Sequence, residues 1–300
     1  MDGFICLDKG EGMTSFFAVR KMRSIIGEKK AGHGGTLDPM ATGVLPVAFG
    51  GATRFLELFP THDKGYEAEI KLGVTTDTLD ITGKVQSEKK SCVTERELLS
   101  VLSEFKGRIK QIPPMYSAIQ KDGKRLYELA RQGIEIEREK REIEIYSLEL
   151  LSFDEENQVF SVSVECSAGT YIRSLSSDIG EALGCGAVMT KLRRTKALGF
   201  SLSDCVTLEE LEEKMKSGDI ASVLHRVEDA LDYEKLTVSE AQAKRFRNGG
   251  ELETVRLKQN TEKNTYYRVF SQSGEFMGIG ESDEENKNLF VKRVYVGKRQ

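Results

Sequence analysis

No stretch of this 300-residue sequence is apolar for long enough to span a membrane; the longest apolar runs, such as Gly43–Phe49, fall far short of the roughly 20 residues required. The N-terminus, MDGFICLDKG, lacks the basic flank and long apolar stretch of a signal peptide, so the chain is expected to stay in the cytoplasm. Its five cysteines (Cys6, Cys92, Cys166, Cys185, Cys205) are odd in number and form no C-x-x-C pair. That pattern fits reduced, mostly buried thiols and excludes a disulfide frame or a zinc ribbon. The three histidines, His33, His62 and His225, are far apart and offer no H-x-x-x-H spacing, so no metal is expected. Two nucleotide-binding loops are also missing. No lysine stands where a Walker A loop needs it, and Leu37 fills the third glycine slot of a dinucleotide fingerprint after Gly32 and Gly34.

A formal net charge of −4 does not by itself suggest a nucleic-acid partner, but the charge is segregated. Met189–Phe200 holds four bases and no acid, and Glu104–Arg141 holds ten bases against six acids. Thr207–Glu240 holds four bases against ten acids, so one acidic segment masks basic ones elsewhere.

The length favours two domains. Phe4–Leu7 reads as a strand. Thr14 or Ser15 caps a helix that turns Phe16, Val19, Met22 and Ile26 to a core and ends at Gly27. The alternation in Tyr66–Leu72 places Tyr66, Ala68, Ile70 and Leu72 on one sheet face. Thr94 and Glu97 form a capping box for a helix ending at Gly107, and another helical stretch, Leu126–Arg131, ends at Gly133. Strands near Ile143–Leu151 and Val159–Glu165 precede a helix carrying Ile172, Leu175, Ile179 and Leu183. Strands and helices mix without a βαβα rhythm, so the fold class is α+β. Past Leu236 the texture becomes short strands and turns, giving a division into 1–235 and a small β-rich domain, 236–300.

Chemistry concentrates in Gly32-His-Gly-Gly-Thr-Leu-Asp-Pro-Met-Ala-Thr-Gly43, where glycines permit close backbone approach and Pro39 restricts Asp38. The residues alone leave two readings: a positioned carboxylate or a structural Asp turn. Arg173, in Cys166-Ser-Ala-Gly-Thr-Tyr-Ile-Arg173, has the fork and charge to hold a carboxylate ionised, provided the two loops face each other. Tyr66 reads as core, or as a stacking partner for an extruded base. Asp77 and Asp80 read as a polar turn, because their segment lacks the further oxygen ligands of a calcium loop.

Together these motifs resemble the bacterial tRNA pseudouridine synthase B family. Ala31–Pro39 with Ala41–Pro46 is similar to its catalytic motif, and Tyr66–Gly73 with Thr76–Asp80 to its second. Gln111–Ala118 with Gly123–Arg131 is similar to its third, and Cys166–Leu175 with Leu192–Arg194 completes the set. The resemblance implies the pseudouridine-synthase fold, a mixed and mostly antiparallel sheet flanked by helices, with a PUA-like RNA-binding tail. It implies isomerisation of uridine 55 in the tRNA T-loop, without a cofactor, by a stand-alone monomer. The implied roles are Asp38 as nucleophile, Arg173 as its ion-pair partner, and Tyr66 stacked on the target base. His33 enters the gap left by the flipped nucleotide, Tyr171 and Leu192 line the base pocket, and Lys9 supports the fold around the site. Gln120 stands where the family has a lysine, and Lys121 is the neighbour that can substitute for a phosphate contact. The basic segments Lys106–Arg131 and Lys191–Lys196 are expected to clamp flanking phosphates. Two rivals remain: a non-catalytic RNA-binding protein on the same fold, against which Asp38 and Arg173 together speak, and a synthase working within a guide-RNA complex.

Overall fold

The computed structural model describes residues 1–117, 119–121 and 123–297, apart from the side chain of residue 121. Among the described residues, ten strands form one mixed sheet. Its main path runs Cys205–Val206, Gly3–Lys9, Thr42–Phe49, Ala187–Ala197, Lys64–Leu72, Val159–Cys166, Arg141–Asp154, Gly107–Gln111. Ala31–His33 and Phe200–Ser201 pair off this path. Most pairs are antiparallel; Thr42–Phe49 lies parallel to Ala187–Ala197, and Gly3–Lys9 parallel to Cys205–Val206. The α+β expectation therefore holds, and no helix among the described residues is long and apolar enough to cross a membrane.

Local sequence explains the elements. The strand Lys64–Leu72 buries Tyr66, Ala68, Ile70 and Leu72, the period-2 set, and packs them with Leu37, Leu192 and Ile172. Thr14 caps the helix Ser15–Ile26 by accepting from Phe17 N, and Gly27 closes it in the left-handed region at φ 72°. The buried stripe of that helix is Ser15, Ala18, Val19 and Met22, with Ile26 half-buried. Phe16 does not face the core as expected but is 73% exposed. The stripe begins at Ser15, whose hydroxyl is taken up by the loop ahead, and this turns Phe16 outward. The Thr94–Glu97 capping box forms, but the helix stops at Glu104, and Gly107 instead opens the next strand at φ 87°.

A second sheet of five strands runs Glu234–Val238, Tyr266–Ser271, Phe276–Ser282, Asn288–Val294, Leu252–Glu253. Glu234–Val238 pairs in parallel with Tyr266–Ser271, so this strand straddles the boundary expected at 235/236. The small sheet and the residue after it lean on the segment Gly50–Leu58, which follows the strand Thr42–Phe49, through aromatic rings: Phe55 meets Phe276 at 6.4 Å and Tyr295 at 6.0 Å between centroids.

Candidate active site

Asp38 sits on the loop between the strands Ala31–His33 and Thr42–Phe49, and that loop is held from three sides. Ser15 Oγ accepts from Leu37 N at 2.8 Å and donates to Leu37 O at 3.1 Å. Lys9 Nζ donates to Gly10 O and Met13 O at 2.8 Å each and to Pro39 O at 3.2 Å, which gives the supporting lysine a defined contact directly behind Asp38. Burial draws the Lys9 ammonium down to about 8, with Asp38 opposing.

The third hold is Arg194, a residue that sequence reasoning had assigned to the RNA surface. It is fully buried. Its Nε donates to Val44 O at 2.7 Å, Nη1 to Thr36 O at 3.3 Å and Nη2 to Gly35 O at 3.1 Å. Parallel pairing of Ala187–Ala197 with Thr42–Phe49 puts Arg194 opposite Gly43. A Cβ at Gly43, where φ is 100°, would stand 2.1 Å from Arg194 O, so only glycine fits. The other bases of the segment are engaged too: Lys191 with Glu69, Arg193 with Asp8 at 2.7 Å, and Lys196 with Glu165. Burial therefore takes Arg194 out of the expected phosphate clamp, while Lys191, Arg193 and Lys196 stay at least partly exposed. Strand alternation carried the signal, since Arg194 lies two residues from buried Leu192 on the same face. Arg194→Met should lower folding stability by about 3 kcal/mol or more, because three carbonyls lose their donor. Arg193→Ala removes a half-exposed pair and should cost about 1 kcal/mol or less. Denaturant midpoints of the two variants check the contrast.

Arg173 enters from the opposite side, as the second residue of the helix Ile172–Ala182. The residues are 135 positions apart, yet the guanidinium grips Asp38 as a fork, Nε to Oδ2 at 2.9 Å and Nη2 to Oδ1 at 3.2 Å. Its remaining donors reach Tyr116 O at 2.8 Å and Thr78 O at 3.2 Å, and Nη1 stands 3.6 Å from Asp80 Oδ2. The polar-turn reading of Asp77 and Asp80 holds but is incomplete. Asp77 does cap its turn through Lys84 N, but Asp80 is buried and gives Arg173 a second carboxylate. Asp80 is itself fixed by Thr78 Oγ1, Thr82 N and Thr82 Oγ1. The Arg173 side chain is 6% exposed and that of Asp38 33%, so the carboxylate faces outward with the guanidinium behind it. Burial raises the Asp38 pKa above the usual carboxylate value; Arg173 pulls against it most strongly, Asp80 adds to it, and Lys9 lowers it.

Tyr66 is buried opposite Arg194 in the sheet register, and burial pushes its hydroxyl up to about 12. Leu192 packs in the same apolar cluster as Tyr66 and Leu37. His33 Nδ1 accepts from Gly35 N at 3.3 Å, and burial followed by Arg194 lowers its pKa, favouring the neutral ring. Tyr171 is half-buried at the cap of the Arg173 helix, its backbone doubly bonded to the Gln111 side chain. Lys9, His33, Tyr66, Arg173 and Leu192 thus lie on or against the loop of Asp38 or its immediate partners, and Tyr171 caps the helix that carries Arg173, whereas Asp80, Arg194 and the Tyr116 carbonyl come from the structure. Lys121, the alternative to the lysine replaced by Gln120, has its side chain outside the described residues. Among the described residues no cluster of three or more His, Cys, Asp or Glu side chains is placed to hold a metal.

The family model "TruB family pseudouridylate synthase (N terminal domain)" matches residues 23–172. "tRNA pseudouridylate synthase B C-terminal domain" follows over 173–233, and "Pseudouridine synthase II TruB, C-terminal" over 235–294. The chain is 44% identical to the tRNA pseudouridine synthase B of Clostridium perfringens (strain 13 / Type A), covering 96% of this chain and 98% of that one. It is 47% identical to the protein of the same name from Azoarcus sp. (strain BH72), covering 94% and 91%. Among solved structures, a Cbf5-Nop10-Gar1 complex contains a chain similar at TM-score 0.77 and 27% identity, over 99% of this chain and 85% of that one. An H/ACA RNP bound to a substrate RNA containing 2′-deoxyuridine gives 0.75 and 26%, over 99% and 86%. The fold is that of the pseudouridine synthases, and the enzyme class is isomerase. The chain belongs to the TruB family of pseudouridylate synthases.

Proposed function

We propose that this enzyme converts uridine 55 in the T-loop of tRNA to pseudouridine, with Asp38 as the acting carboxylate. The observation that carries the reading is the forked Asp38–Arg173 pair, which turns one carboxylate outward and opposes the burial that favours its acid form. The reaction breaks N1–C1′, rotates the uracil and joins C5 to C1′. The C5 proton leaves and N1 regains one, so atoms and electrons balance within the substrate and its solvent. Asp38 serves by attacking C1′ or C6, or by taking the proton that starts glycal formation. A stacked base is out of reach, so the nucleotide is flipped into the site. Tyr66 stacks on it, Tyr171 and Leu192 line its pocket, His33 fills the vacated space, and Lys9 keeps the loop in place.

The partner is the tRNA T-arm, bound by a stand-alone monomer in the cytoplasm, and residues 236–300 serve as a PUA-like RNA-binding unit. Relatives named for tRNA support the substrate class. A folded loop is read largely by shape and backbone, so a minimal T-arm hairpin should be a substrate. Tritium release from C5-labelled uridine, with mapping of the modified position, tests this. Pseudouridine only at another tRNA position, or only in ribosomal RNA, would refute the assignment.

A further inference from the structure

Lys64 is a charged group of this neighbourhood that the arrangement above does not use. It opens the central strand Lys64–Leu72, two residues before Tyr66, and its side chain reaches back to the Asp38 loop. A Cβ built on Gly35 would lie 3.6 Å from Arg194 Nη1, 3.7 Å from Lys64 Cε and 4.0 Å from Lys64 Nζ. Two cations therefore flank one face of a glycine that stands three residues before Asp38.

Neither has a carboxylate partner among the described residues. Arg194 spends its donors on the carbonyls of Gly35, Thr36 and Val44. The Lys64 ammonium makes no hydrogen bond or ion pair there. The nearby acids are turned elsewhere: Asp63 Oδ1 accepts from Tyr146 at 3.1 Å, and Glu165, paired in register with Gly65, faces Lys196. Burial first and Arg194 second lower the Lys64 pKa. Half-burying an ammonium beside a guanidinium, with no counter-charge, is unfavourable unless something anionic arrives. The three Lys64 donors are free to receive it, and Arg194 adds charge from behind Gly35.

We infer that Lys64 binds a phosphodiester of the RNA substrate, next to the nucleotide that enters the Asp38 site. The inference rests on the uridine-isomerising reading above and names a positioning residue for it. The phosphate fixes the backbone of the flipped nucleotide relative to Asp38 and makes no contact with the breaking bond.

The test uses the full chain, with the T-arm hairpin carrying a neutral methylphosphonate at the linkage on either side of the target uridine. The parent should lose about tenfold in kcat/KM on one of these RNAs, since one charge-assisted contact disappears. Lys64→Met should lose about tenfold on the unmodified hairpin, mostly in KM, and show no further loss with that methylphosphonate. Lys64→Arg should recover most of the activity, and the salt slope of binding by Lys64→Met should flatten by about one counterion. Lys64→Gln replaces Lys64→Met if the latter does not fold. Normal kinetics in the uncharged variant, or a loss that adds in full to that of both methylphosphonates, would overturn the inference while a turning-over parent leaves the T-loop reading standing. A parent inert on the unmodified hairpin would instead refute the T-loop reading.

Discussion

Asp38→Asn should bind tRNA with little change and lose turnover by on the order of 10³-fold or more. The amide keeps the volume of the carboxylate and one acceptor oxygen for the Arg173 fork, so the loop stays tethered by Ser15, Lys9 and Arg194. What disappears is the negative charge, which every version of the chemistry needs, whether Asp38 attacks carbon or removes a proton. Binding is carried by many other contacts, so filter-binding affinity and tritium release should separate cleanly. Measurable turnover by a sequence-verified Asp38→Asn protein would remove Asp38 from the proposed role.

Arg173→Met should be nearly inactive at neutral pH and partly recover as pH rises. Asp38 already stands above the ordinary carboxylate range because burial outweighs its cationic neighbours. Removing Arg173 deletes the strongest lowering influence and leaves Lys9 alone against burial and Asp80, both of which raise it. The acid form then persists to higher pH, so the acidic limb of the activity profile moves upward into a range where the parent is flat. The variant should also be less stable, by about 3 kcal/mol, since Asp80 and the carbonyls of Thr78 and Tyr116 lose their partner. Arg173→Lys keeps the charge without the planar fork, so it should fall between the two in turnover. A kcat–pH profile for the three proteins, with a thermal melt of each, is sufficient. An Arg173→Met enzyme with parental turnover, or one merely scaled down at every pH, would separate the pair from the chemistry.

Short-range order was legible in the sequence because it depends on neighbours in the chain. The Tyr66–Leu72 alternation, the Thr94–Glu97 and Thr207–Glu210 capping boxes, and the Gly27 helix end all follow from rules spanning a few residues. The densest glycine motif likewise pointed to Asp38 without any fold in view. Whether Arg173 meets Asp38 was undecidable there, because a separation of 135 positions is closed only by the sheet order and the placement of one helix. For the same reason a run of bases read as one surface. In the strand, Lys191 is exposed and paired with Glu69, whereas Arg194 points inward and holds the loop. Asp80 passed for a turn residue until the hairpin carried it to the far side of Arg173. The sequence by itself determined most of the elements and the family likeness, and it singled out Asp38 as a candidate, since these are written in local spacing and in ordered motifs. Only the tertiary structure decided which charges are partners, which are buried supports and which, like Lys64 beside Gly35, have no carboxylate partner among the described residues, because charge pairing is set by distance and burial rather than by order along the chain.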